Sequence, residues 1–323
     1  MRSSLIVLCG SLLFTACGDL ELTCPGSTSL DSLVTCIAAQ MPEKGSNGYV
    51  APTAAQRADW RAVVNQMMQG SCGFTVPSSL NGIVRTRTFT DTSNGRNYCL
   101  LMEVRDRNRN GRVDFGFGTF IVNNAAARQL SHQAVHPISD SNTETQAVIA
   151  FRDTDSRSFL MAGAHRDANS AASLCLLDAR ESDASHNSNT MVQATNEQLL
   201  AHYGAAPWFV IQWHGMAAST CPDTDVFPTH GRKAAPAPGD PILLLQQTLT
   251  TLNQGWDVDV PVSSSCSLNA TENMQGRLLN GVAAQNVCTV EASEVSRKFI
   301  HIEQDPDFRD PANWTAALVK TFP

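Results

Sequence analysis

His136, Glu144, His214 and Glu303 are the residues of this 323-residue chain whose types and settings best suit them to chemistry. Two imidazoles and a carboxylate form a common catalytic zinc set that leaves a coordination position open for water. The segment His136-Pro137-Ile138-Ser139-Asp140-Ser141-Asn142-Thr143-Glu144 reads as a strand end, a turn and the start of a helix. Glu144 then lies in the first helical turn, from which its carboxylate can swing back toward the imidazole. Asp140 is the alternative ligand if Glu144 faces elsewhere, and Glu144 taken alone also reads as an acid stabilising a helix N-terminus. Trp213-His214-Gly215-Met216 closes another strand, with Gly215 freeing the backbone beside the ligand. Glu303, at a later strand end, is placed to act as the general base.

Around this set, Arg166 offers a planar two-pronged donor for a substrate carboxylate or a scissile carbonyl. It reads equally as the partner of Asp153, Asp167 or Asp183. Asn169 can orient Arg166 or the substrate, and Arg309 is a further carboxylate-binding candidate. Asp183 and His186, within Ser182-Asp183-Ala184-Ser185-His186-Asn187, read either as outer support for the ligands or as a solvated loop.

The elements that must position these groups follow from hydrophobic periodicity. Leu30 to Gln40 and Ala54 to Met68 have helical spacing. Between Gly82 and Asn123 the pattern changes to strand-like alternation. From about Ser131 onward, strands and helices alternate. The strands run into Val135-His136, across Phe159 to Gly163, Trp208 to Trp213 and Lys298 to Ile302; the helices cover Thr143 to Phe151, Met191 to Tyr203, Ile242 to Leu252 and Asn313 to Lys320. Strands separated by helices of this length predict an α/β fold with a mixed, largely parallel sheet between two helical layers. Such sheets carry their sites at strand C-termini, where His136, His165 with Arg166, His214 and Glu303 fall.

His136-Pro137, Asn142-Thr143-Glu144, Ala162-Gly163-Ala164-His165-Arg166-Asp167-Ala168-Asn169, Gln212-Trp213-His214-Gly215-Met216 and Phe299-Ile300-His301-Ile302-Glu303-Gln304 together resemble the N-formylglutamate amidohydrolase group within the wider zinc-carboxypeptidase-like superfamily. The resemblance covers roughly Gln129 to Phe308. It implies a three-layer α/β/α fold, one zinc ion, and hydrolysis of an amide bond near a carboxylate, so that the partner is a carboxylate-bearing peptide or amide.

Composition sets the frame. With 42% hydrophobic residues there is apolar material for a large core, and a net charge of −7 argues against a nucleic-acid binder. Residues 1–16 read as a signal peptide whose apolar run is too short to span a bilayer, ending at a lipobox-like Phe14-Thr15-Ala16-Cys17. Cys17 is then the lipidation site, and the membrane is met by a lipid anchor only, in a cell-envelope or secreted protein. Residues 17–80 form a partly helical N-terminal extension and 81–323 the α/β domain. The eight cysteines left after Cys9 in the signal and Cys17 at its end are set aside are expected to form up to four disulfides. Asp106 to Asp114 follows the first positions of a calcium loop, but Phe117 stands where the bidentate Glu belongs, and a hairpin loop explains the same composition. No GxSxG elbow, P-loop or GxGxxG is present. Two functions remain in view: a zinc-dependent amide or peptide hydrolase, and a non-catalytic surface-tethered binding lipoprotein that keeps a hydrolase-like fold.

Overall fold

The computed structural model describes residues 20–322; the signal segment and Cys17 lie outside the described residues. The elements, in chain order, are β1 (Leu20–Glu21), α1 (Leu30–Ala39), α2 (Ala54–Met68), β2 (Val84–Asp91), β3 (Arg96–Glu103), β4 (Arg105–Asp106), β5 (Thr119–Val122), β6 (Arg128–Ala134), α3 (Thr143–Asp153), β7 (Ser156–Met161), α4 (Met191–Tyr203), β8 (Phe209–Trp213), β9 (Val226–Thr229), α5 (Pro241–Leu252), α6 (Met274–Leu279), β10 (Phe299–Gln304) and α7 (Ala312–Thr321). Eight strands form one mixed sheet in the order β2-β3-β5-β7-β6-β8-β10-β9. Its centre is parallel, through the β7–β6, β6–β8 and β8–β10 pairings. Antiparallel strands flank this block: β2, β3 and β5 on one side, β9 on the other.

Period-two alternation divides the strand side chains between two cores. Phe159, Met161, Ile211, Trp213, Ile300 and Ile302 face the side covered by α1, α3, α5 and α7. Leu160, Val210 and Phe299 face the side covered by α2, α4 and α6. The helices start where local chemistry dictates. Thr53 and Gln56 form a reciprocal capping box at α2, and Asp240 followed by Pro241 opens α5. Helices α1 and α2 sit on opposite faces of the sheet, so residues assigned to the N-terminal extension supply part of both layers.

The chain leaves β6 through α3 on one face and β7 through α4 on the other. Divergent exits from neighbouring parallel strands open a crevice at their C-terminal ends. Two glycines let the chain just past β7 pack against the segment that enters β5: a Cβ on Gly163 would lie 2.2 Å from the Gly118 nitrogen, and one on Gly118 would lie 2.4 Å from the Met161 carbonyl oxygen. Four disulfides, Cys24–Cys36, Cys72–Cys99, Cys175–Cys288 and Cys221–Cys266, pair all eight cysteines expected to bridge. The Asp106 to Asp114 loop folds on itself, with Asp106 accepting from the Asn110 and Gly111 amides and Asp114 from the Arg107 amide. No helix among the described residues is long and apolar enough to cross a membrane.

Candidate metal centre

The C-terminal ends of β6, β8 and β10 deliver His136, His214, His301 and Glu303 to one cavity of about 270 Å³, which Asp140, Arg166, Ser185 and His186 also line. His136 follows β6 by two residues, and the loop after it folds back through two left-handed residues, Ile138 (φ 57°) and Asn142 (φ 66°). That reversal turns Asp140 toward the imidazoles. A β-branched residue in this region is strained, and here the strain sits at the point that aims the carboxylate.

Asp140 Oδ2 lies 3.3 Å from His136 Nδ1 and 3.4 Å from His214 Nδ1, and it accepts the Gly215 amide at 3.2 Å. These imidazole distances are long for charge-assisted hydrogen bonds, which centre near ~2.8 Å. They match the edge of a zinc tetrahedron, since two ligand atoms each about 2.0–2.1 Å from the ion lie about 3.3 Å apart. The donor set therefore fits a divalent metal: the three groups are buried, their ligand atoms lie within 4.8 Å of one another, and His214 keeps an unpartnered buried Nε2.

Glu144 lies elsewhere. It is buried in the first turn of α3, where its carboxylate accepts the Ile138 amide and its own, leaving Oε2 unpartnered. Burial raises its pKa, and it is not among the groups that could share an ion with His136 and His214. The carboxylate beside the two imidazoles is Asp140.

His136 Nε2 lies 2.9 Å from Asp183 Oδ1 and 2.9 Å from Ser185 Oγ, the carboxylate–imidazole support that fixes a ligand's tautomer. Arg166 pairs with the same Asp183 at 2.9 Å while its Nη1 reaches to 3.4 Å from His136 Nδ1, so it lies on the cavity wall and half its reach is already committed. Asp183 also meets His186 at 3.1 Å. The Ser182 to Asn187 segment is thus a buried brace and not a solvated loop.

Arg309 is 6% exposed, and its guanidinium is consumed by the Ser141, Met216 and Gln304 carbonyls and the Ser141 hydroxyl. It clamps the loops after β6, β8 and β10. A Cβ at Gly215 would come within 2.2 Å of Arg309 Nη2, so a side chain there would push the guanidinium off its carbonyl partners. Asn169 donates to Glu181 and accepts from the Ser182 amide, behind the cavity wall.

Electrostatics separates the two imidazoles that face Asp140. Burial opposes protonation of His136, but Asp183 and Asp140 outweigh it and lift the ring to about 9. Burial lowers His214 to about 4 and holds His301 well below its usual range, so both present neutral rings. Burial, reinforced by the Asp140 charge, pushes Glu303 up to about 8. Asp140 itself is lowered despite burial, chiefly by His136.

Beneath the candidate ligands, Gln212 on β8 donates to Gln133 on β6 and to Gln275, and accepts from Asn273. Gln275 continues to Gln193 and the Ala184 carbonyl. This buried amide network ties the two ligand-bearing strands to both cavity walls, and most of it stays satisfied as a buried polar network must. Two disulfides brace the same walls: Cys175–Cys288 beside the 182–187 brace, and Cys221–Cys266 between the loop after His214 and the 267–273 wall.

His301 is the group that sequence reasoning passed over. Its ring lies 4.2 Å from that of His214 and its Nε2 lies 3.5 Å from Glu303 Oε1. The available signal was strand alternation, which puts residues 301 and 303 on one face.

No protein-family model and no curated protein matches the sequence. Among solved structures, a gene product of Agrobacterium tumefaciens aligns over 61% of this chain and 88% of its own, with 10% identity and a TM-score of 0.36. A metallo-carboxypeptidase from Pseudomonas aeruginosa, in complex with (2-guanidinoethylmercapto)succinic acid, aligns over 85% of this chain and 68% of its own, with 10% identity and a TM-score of 0.32. Likenesses at this level carry no argument about activity.

Proposed function

We propose that the chain is a zinc-dependent amide or peptide hydrolase of the amidohydrolase and carboxypeptidase-like kind, with His136, Asp140 and His214 as metal ligands and Glu303 as general base. The observation that carries this reading is the placement of one carboxylate oxygen at tetrahedral-edge distance from two imidazole nitrogens, in a cavity that Glu303 also lines. An ion held there supplies Lewis acidity and eases the deprotonation of water. Glu303 takes the proton of the attacking water and returns it to the leaving nitrogen. Arg166 donates to the scissile carbonyl or to a carboxylate of the substrate, and Asp183 keeps both Arg166 and His136 in place. Arg309 and Asn169 act on the loops that carry the site, without touching substrate.

The signal-like segment of residues 1–16 and the four disulfides support an exported protein, with Cys17 as its lipid attachment point. The test of the chemistry is Glu303→Gln assayed on N-acyl amino acids and small peptides. The ion held by His136, Asp140 and His214 is expected to bind as tightly as in the parent while kcat, measured at one metal ion per chain, falls by about 10²–10⁴, the usual share of a general base. Undiminished hydrolysis in this variant would remove Glu303 from the base role.

A further inference from the structure

The two imidazole ligands are not supported alike. His136 has both nitrogens engaged, Nδ1 toward Asp140 and Nε2 against Asp183 and Ser185. A metal-bound imidazole ordinarily donates its second N–H to such a partner. His214 breaks the pattern: its Nδ1 faces Asp140, but its Nε2 is buried with no partner. His301 sits beside it, 4% exposed, with Nδ1 also unpartnered. The other nitrogen of His301 stands 3.5 Å from Glu303 Oε1, too far for a good hydrogen bond and close to the ~3.3 Å edge of a zinc tetrahedron. Ligand atoms of His214, His301 and Glu303 all lie within 4.8 Å of one another, and all three residues line the cavity.

We infer that His214, His301 and Glu303 form a second divalent-cation site adjoining the first, with His214 serving both sets through its two ring nitrogens. Two imidazoles and one carboxylate suit zinc and its borderline neighbours, whereas calcium and magnesium want oxygen ligands. Filling both positions displaces the remaining ring proton of His214, so the second ion binds more weakly than the first. The consequence rests on the hydrolase reading: a Glu303 carboxylate committed to a cation cannot accept a proton from water. The second site is therefore inhibitory, and the activity falls when metal exceeds one ion per chain.

The experiment is titration of the metal-stripped full chain with zinc against a competing chromophoric chelator, for the parent, His301→Ala and Asp140→Asn. The parent is expected to take up two ions of unequal affinity, His301→Ala only the tighter one, and Asp140→Asn to lose the tighter one. His301→Gln, closer in size to histidine and checked by circular dichroism, guards against misfolding and is expected to match His301→Ala. Excess zinc is expected to depress hydrolysis in the parent and not in the His301 variants. Uptake of a single ion by the parent, abolished in Asp140→Asn, would overturn the second site while leaving the hydrolase reading intact. Two ions retained in both His301 variants would overturn it as well, and no uptake by the parent would remove both readings.

Discussion

At the scale of single residues, the proposed chemistry turns on Asp140. One of its carboxylate oxygens faces the His136 and His214 imidazoles and the Gly215 amide. Replacing it with Asn keeps the shape and removes the charge, so metal affinity is expected to fall by more than the about 10–100-fold typical of an outer-shell partner. Glu144→Gln is expected to leave metal affinity within a few-fold of the parent, because that carboxylate caps its own helix. Equilibrium dialysis of both variants decides between the carboxylates, and the reverse order of effects would restore Glu144 to the ligand set. His132 makes a different residue-scale prediction. Fully buried, stacked on Trp213 and hydrogen-bonded only to neutral groups, it is held down to about 3 by burial, against 6.5 when solvated. Below 6.5 the unfolded chain binds the proton that the folded chain refuses, so stability is lost as pH falls through that window, at up to about 1.4 kcal/mol per pH unit. Denaturation midpoints of His132→Asn measured from pH 7 to pH 5 should fall less steeply than those of the parent; parallel slopes would show that His132 does not contribute.

At the scale of elements, what the sequence disclosed and what it hid have different physical causes. Helix α2 and helix α4 begin and end where periodicity places them, and the strands bearing His136, His214 and Glu303 were readable because buried apolar runs alternate with amphipathic helices. Short elements escaped: β9 and α6 have too few residues to show a period. Side-chain aim escaped too. The choice between Asp140 and Glu144 depends on two left-handed residues in the 136–142 turn, and nothing in the residue types of Ile138 announces a positive φ. Arg309 looked like a substrate ligand because sequence shows a charge but not the carbonyls that saturate it. The close approach of Gly163 to Gly118 is an element-scale constraint with a direct test. Gly163→Ala pushes a methyl group into the Gly118 backbone, and chemical denaturation is expected to show a loss of about 1–3 kcal/mol or more. A change within about 0.5 kcal/mol, the range of neutral surface substitutions, would show that the two segments can part without cost.

At the scale of the molecule, the sheet, the disulfides and the polar core serve one end of the parallel strands. Arg309 clamps three loops there, the glutamine and asparagine network locks β6 to β8, and two cross-links hold the walls. The proposed metal centre, built from imidazole and carboxylate, leaves all eight of these cysteines for cross-linking, consistent with an oxidising compartment. The arrangement has a purpose only if an ion occupies the point that His136 Nδ1, Asp140 Oδ2 and His214 Nδ1 surround. Crystals grown with stoichiometric zinc and measured on both sides of the zinc absorption edge locate that ion without reference to activity. An anomalous peak about 2.0–2.2 Å from all three atoms is the expected result. A strong zinc peak anywhere else, with these three atoms unliganded, would contradict the account.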